Sequence, residues 1–261
     1  MTRLLWKLLG PLSMQRVREP AVAGMFYPRE AEALRSVVER MLSEARPQAL
    51  TPKALIAPHA GYMYSGAVAA SAYALLRPLA SQIRRVVLLG PSHYVPFAGL
   101  ALPDARSFRT PLGEIELDGE AIAAIEKLPQ VCVSAAAHAR EHSLEVQRPF
   151  LQVLLGEFKL VPLAVGEASP GETAAVLEAL WGGPETLIVI SSDLSHYRSY
   201  QAAAVIDGEH ACGCHPIRGL LHLARSRGLT VTPLDRRNSG DTAGDRSRVV
   251  GYGAWAFMET A

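Results

Sequence analysis

Three histidines each follow a short apolar run: His59 after Ala54-Leu55-Ile56-Ala57, His93 after Arg85-Val86-Val87-Leu88-Leu89-Gly90, and His196 after Thr186-Leu187-Ile188-Val189-Ile190. Such runs read as fully buried strands of a parallel sheet. Open parallel α/β sheets bind their ligands beyond the carboxyl ends of the strands. Three imidazoles gathered at one such edge are suited to a transition metal, because neutral imidazole is the commonest protein ligand for these ions. A loop histidine bonded to backbone is the competing reading for each one alone, and the shared placement is what favours a common site. Cys212 adds a thiol just ahead of a helix expected to open at Pro216, where the helix dipole favours a thiolate able to ligate or to attack. Burial as a small apolar residue is the alternative for Cys212.

Other residues can support this chemistry. Asp193 lies three positions before His196 and can hold its imidazole in one tautomer for general-base work, or serve as an Asp-Ser turn or cap. Glu141, His142 and Glu145 are expected at the start of a helix. A carboxylate there can orient a ligand histidine through its second ring nitrogen or complement the helix dipole. His138 shares i,i+4 spacing with His142 but is expected before that helix and in solvent. Cys214-His215 beside Cys212 resembles a compact metal motif without the second pair that a structural zinc needs. Tyr62, Tyr64 and Tyr94 are expected either to line the pocket or to pack.

The elements that position these residues follow from periodicity. Glu30 to Ala45 has helical spacing with Leu34, Val38 and Leu42 on one face. Ser65 to Leu76 reads as a small-residue helix with Ser65 as N-cap. His59 and His93 are 34 residues apart, the length of one βαβ unit. Ser107 to Asp118 reads as turns or a hairpin, followed by a helix over Glu120 to Lys127 and one from Glu141 to Leu155 kinked by Pro149. Val161 to Val165, a helix over Gly171 to Leu180 and the third apolar run come next. A helix from Pro216 to Ser226 and strands at Thr230 to Pro233 and Val249 to Met258 complete the chain, with Arg236 to Asp245 as a loop. The fold class this gives is α/β, a single domain with a central, mostly parallel sheet flanked by helices.

Bulk properties bound the function. Of 261 residues, 49% are hydrophobic and 20% charged, which suits a folded domain with a full core. The net charge of +1 comes from interspersed charges, so no basic stripe speaks for nucleic acid. Three cysteines, Cys132, Cys212 and Cys214, are too few for a disulfide framework and fit a reducing compartment, the cytoplasm. No run approaches membrane-spanning length. Residues 1–17, with Lys7 inside their apolar stretch, read as a tail, and 18–261 as the domain. A GxGxxG fingerprint, a P-loop and a GxSxG elbow are missing, leaving nucleotide and serine-hydrolase chemistry without local support.

Six ordered motifs carry a family resemblance: Pro20-Ala21-Val22-Ala23-Gly24-Met25-Phe26-Tyr27-Pro28, Ala57-Pro58-His59-Ala60-Gly61-Tyr62, Gly90-Pro91-Ser92-His93, Glu141-His142-Ser143-Leu144-Glu145, Ser191-Ser192-Asp193-Leu194-Ser195-His196 and Cys212-Gly213. From about Arg18 to Ala256 the chain resembles the Memo family. The resemblance implies a fold shared with class III extradiol dioxygenases. It implies His59, His93 and Cys212 as metal ligands, His196 as the pocket acid/base, and iron or copper with redox activity. It also implies association with a radical-SAM protein. Only 15 residues separate His196 from Cys212, fewer than the family's usual helical segment there. Cys214 and His215 then offer an alternative thiol and imidazole.

These features lead to an expected mononuclear, oxygenase-like redox protein of unknown substrate. A thiolate in place of the carboxylate of the usual iron(II) triad argues against catechol cleavage itself. The alternatives are a zinc-type hydrolase in which His196 and Asp193 move protons, and a non-catalytic peptide-binding module.

Overall fold

The computed structural model describes residues 17–195, 211–244 and 246–260. Its strands are β1 (Val17–Arg18), β2 (Ala54–Ala57), β3 (Arg85–Pro91), β4 (Leu100–Leu102), β5 (Ser107–Thr110), β6 (Gly113–Glu116), β7 (Val131–Val133), β8 (Lys159–Val165), β9 (Thr186–Ser191), β10 (Thr230–Asn238) and β11 (Gly251–Met258). The helices that matter below are α1 (Ala31–Glu44), α2 (Ala67–Tyr73), α3 (Gly119–Ile125), α4 (Ala135–Ala139), α5 (Arg148–Leu155), α6 (Pro170–Ala179) and α7 (Cys214–Arg227).

Eight strands form one sheet in the order β10-β11-β2-β9-β3-β8-β4-β7, and β1, β5 and β6 form a small second sheet. The middle of the large sheet, β2-β9-β3-β8, is parallel throughout, while β11 meets β2 and β4 meets β8 antiparallel. The apolar runs take these central places because both of their faces are covered. Leu55, Val86, Leu88, Leu187 and Val189 face a core layer completed by α1, α2 and α5. The alternate residues Ile56, Val87, Leu89, Ile188 and Ile190 face a second layer under α3, α6 and α7. In α1 the spacing of Leu34, Val38 and Leu42 buries one stripe, each side chain contributing about 1.5–3 kcal/mol.

Strands β2, β3, β8, β9 and β11, the hairpin β5-β6 and helix α1 lie where periodicity puts them, whereas β1, β4 and β7 are not among the expected strands. Several details differ. The expected helix from Glu141 is α5, which starts only at Arg148, so Pro149 sits in its first turn and opens the helix instead of kinking it. Glu141 and His142 precede it in irregular chain and Ser143 to Gln147 as turns. Ser65 caps nothing: it falls within a π-helical turn, Tyr62–Gly66, ahead of α2, and its hydroxyl donates back to the Ala60 carbonyl. Strand β10 runs on to Asn238 and a short helix, Ser239–Thr242, follows, so most of the supposed loop is ordered structure. Helix α7 begins at Cys214, two residues ahead of Pro216. His138, expected in solvent, is buried in α4, with Nε2 donating to the Ala101 carbonyl at 2.8 Å. Residues 1–16 of the expected tail lie outside the described residues, as does His196.

Candidate metal centre

Strand β9 lies between β2 and β3, so the carboxyl ends of these three neighbours share one edge of the sheet. His59 follows β2 and His93 follows β3. They meet there with His142, one ring nitrogen from each lying within 4.8 Å of the others. Ring centroids are 5.2 Å apart for His59 and His93, 4.5 Å for His93 and His142, and 5.5 Å for His59 and His142.

Hydrogen bonds, buried for His59 and part-buried for the exposed His93, set the tautomers of the first two rings. Ser191 ends β9, and its hydroxyl gives its single proton to the Ser143 carbonyl at 2.7 Å. The same oxygen accepts from Gln147 Nε2 at 2.7 Å, so its 2.8 Å contact with His59 Nδ1 is one in which the ring donates. His59 therefore carries its proton on Nδ1 and presents Nε2 to the Cys212 sulfur, 3.3 Å away. His93 reaches the same state by a different route. Glu141 accepts the main-chain N–H of His93 at 2.6 Å and its ring Nδ1–H at 2.8 Å. Despite burial, these bonds and the neighbouring imidazole hold the Glu141 carboxyl down at about 2, so it is an acceptor only. Orientation of a ligand imidazole through its other nitrogen is the usual support of a metal site.

His142 differs. Burial, with His93 beside it, pushes its pKa down to about 4, so the ring is neutral. Its Nδ1 is buried, 3.6 Å from Glu141 Oε1, and has no hydrogen-bond partner. A neutral imidazole with an orphaned nitrogen, beside two rings whose Nε2 atoms are left unprotonated, fits the donor chemistry of a transition-metal ion. The Cys212 thiol lies beside this group, 3.3 Å from His59 Nε2, without being one of its three members. Cys212 Sγ accepts the Asp193 N–H at 3.2 Å, and burial together with the Asp193 carboxylate pushes the thiol well above its ordinary range. Ligation would displace that proton.

Two glycines make the approaches possible. A Cβ on Gly90 would sit 2.6 Å from Ser143 Oγ, so its absence lets the Ser143 turn close on β3. A Cβ on Gly213 would come within 2.6 Å of the Ser192 side chain and 2.9 Å of the Ser191 carbonyl, and without it the Cys212 loop lies on the end of β9.

Of the remaining sequence candidates, Asp193 accepts the His59 main-chain N–H at 2.7 Å and also bonds the Ala60 backbone, and burial raises its carboxyl to about 7. His215 turns its Nδ1 to the Ala168 carbonyl, and neither it nor Cys214 belongs to the histidine cluster. Glu145 holds the N-terminal segment: it accepts from Arg18, from the main chain of Ala21 and Val22 at 2.8 and 3.0 Å, and from the Tyr27 hydroxyl at 2.5 Å. Tyr62 is buried with its hydroxyl on the Val146 carbonyl, whereas Tyr64 and Tyr94 are exposed. His142 was reached from sequence only as a companion of two glutamates and as the i,i+4 neighbour of His138. Pro149, read as a helix opener, would have placed it ahead of the helix, at the sheet edge.

The family described as Memo-like protein matches residues 18–210 of the chain. A MEMO1 family protein of Aquifex aeolicus is 35% identical, covering 93% of this chain and 100% of the relative. Proteins of the same description from Sulfolobus acidocaldarius and Aeropyrum pernix are each 34% identical, covering 90% and 92% of this chain and 97% and 99% of their own lengths.

Proposed function

Since the chain belongs to the Memo-like family, we propose that it is a mononuclear metal protein with oxidoreductase activity, its ion held by His59, His93 and Cys212 with His142 alongside. The observation that carries this reading is the meeting of His59, His93 and His142, one ring nitrogen of each within 4.8 Å of the others, with two of the rings held as Nδ1–H tautomers by Ser191 and Glu141 and the Cys212 sulfur 3.3 Å from His59 Nε2. Two imidazoles and a sulfur favour iron or copper, with zinc as a third possibility, over magnesium or calcium. A bound ion of this kind would supply one-electron or oxygen chemistry. The chain's own contributions are orientation of the ligands and proton exchange at Asp193, whose buried carboxyl is raised to about 7. His196 is proposed as the second proton-transfer group, on the family resemblance. Residence in the cytoplasm and association with a radical-SAM protein rest on the three cysteines and on that resemblance. Among the described residues no helix is long and apolar enough to cross a membrane.

A zinc-type hydrolase is the second reading, favoured by a buried carboxyl with a near-neutral pKa beside the site. Metal content after anaerobic purification, for wild type and for His59→Ala, His93→Ala, His142→Ala and Cys212→Ala, tests both. Near-stoichiometric iron or copper that is lost in the His59 and His93 variants supports the redox reading. Zinc alone, with zinc-dependent ester or amide turnover, supports the hydrolase. A wild type that takes up no metal on reconstitution ends both.

A further inference from the structure

Around the three histidines runs a rim that the metal reading does not use. Among the described residues seven large apolar side chains are exposed, and two of them, Tyr94 (47%) and Tyr64 (38%), belong to this rim, while Met25 and Met63 are the chain neighbours of Phe26 and Tyr64. Its continuity can be followed contact by contact. The Tyr64 main-chain N–H donates to the Gly61 carbonyl at 2.8 Å, and Tyr62, next to Gly61, donates its N–H to the Phe26 carbonyl at 2.8 Å. The Phe26 ring lies 4.9 Å from that of His142, His142 lies 6.1 Å from Tyr94, and Tyr94 carries the Arg140 guanidinium 4.7 Å from its ring centre. Exposed apolar residues scattered singly need no explanation, but a contiguous band beside a candidate site marks a binding surface. Arg140 is exposed, and among the described residues no carboxylate pairs with it. A guanidinium stacked on a tyrosine face keeps its edge N–H donors for an oxyanion.

From this arrangement we infer that the mouth of the site binds a small organic acid with an apolar, aromatic body, its carboxylate on Arg140 and its ring on Tyr94, Phe26 and Tyr64. This inference deepens the metal reading by naming the class of molecule brought to the site. A single tyrosine ring separates the cation from the histidines, a span that suits a compact acid over an extended chain. The surface contacts themselves do not depend on a metal.

The test uses the full chain and two probes, phenylacetate and its neutral amide phenylacetamide, with binding followed by ligand-observed NMR on metal-free and zinc-loaded protein. Phenylacetate is expected to bind about tenfold more tightly than the amide in both forms. Arg140→Gln is expected to remove that preference, Arg140→Lys to keep part of it, and Tyr94→Leu to weaken both probes. Thermal melts of each variant exclude unfolding as the cause. Equal binding of acid and amide, no binding of either at millimolar concentration, or an acid preference that survives Arg140→Gln would overturn the inference. A preference seen only with zinc would overturn it too, since the carboxylate would then be on the metal. Tighter binding of a short peptide ending in phenylalanine would assign the surface to a chain terminus instead. Metal content on the same samples tests the metal reading separately, because the metal-free comparison stands whether or not the wild type takes up an ion.

Discussion

Glu141 grips His93 twice with one carboxylate, 2.6 Å to the main-chain N–H and 2.8 Å to the ring Nδ1–H. Glu141→Gln keeps the size of the side chain and removes the charge that fixes the tautomer. We expect metal affinity to fall about 10–100-fold, as for other partners of ligand histidines. Competitive titration against a chelator measures this, and an unchanged affinity would mean that the carboxylate has no part in metal holding.

His59 depends in the same way on Ser191, whose proton is committed to Ser143. Ser191→Ala leaves the ring without the acceptor that selects Nδ1–H. In 15N-labelled protein the His59 ring nitrogens should lose the signature of a single tautomer, and metal binding should weaken about tenfold or more. A spectrum identical to wild type would show that another contact sets the tautomer.

Glu145 is fully buried and is bonded or ion-paired to Arg18 and Arg148. Glu145→Gln leaves two buried guanidinium groups without their counter-charge, at an expected cost of about 3–5 kcal/mol in unfolding free energy. Because the same carboxylate holds Ala21, Val22 and Tyr27, residues 18–28 should also become more susceptible to protease. Denaturant melts showing a loss well under 1 kcal/mol would contradict this account.

Burial pushes the His138 pKa down to about 4 from 6.5. The unfolded chain therefore binds the proton more readily than the folded one. Stability from this group is fully present above about pH 6.5 and is lost as pH falls toward 4, by about 3 kcal/mol at most. His142 acts in the same direction, while Asp193, raised to about 7, acts oppositely between about 4 and 7. Comparison with His138→Gln, which can still donate to the Ala101 carbonyl, isolates one term. The stability difference between wild type and variant should grow from pH 4.5 to pH 7, and a constant difference would refute the assignment.

The sequence made the sheet legible because β2, β3 and β9 are apolar on both faces, a pattern that leaves few other places in an α/β fold. It placed His59 and His93 for the same reason, and it offered Glu141 as an orienting carboxylate alongside a dipole reading that the late start of α5 now excludes. His142 was less legible. Its position is set by a turn that Glu145, Gln147 and Ser143 tie to residues more than 40 positions away. No local period encodes such ties. Gly90 and Gly213 likewise matter through one close approach each, which is visible only once the partners are in place.

The strand order β2-β9-β3 carries a consequence for how the chain reaches its working form. The two histidine-bearing strands, consecutive in the βαβ unit, are not hydrogen-bonded to each other but are spaced by a strand that arrives some hundred residues later in the chain. An amino-terminal fragment ending before Thr186 would hold His59, His93 and His142 yet lack the strand that sets their separation. We expect the centre to be completed only when β9 docks, since its geometry rests on contacts of high sequence separation. Capture of a metal ion would then report that β9 has entered the sheet.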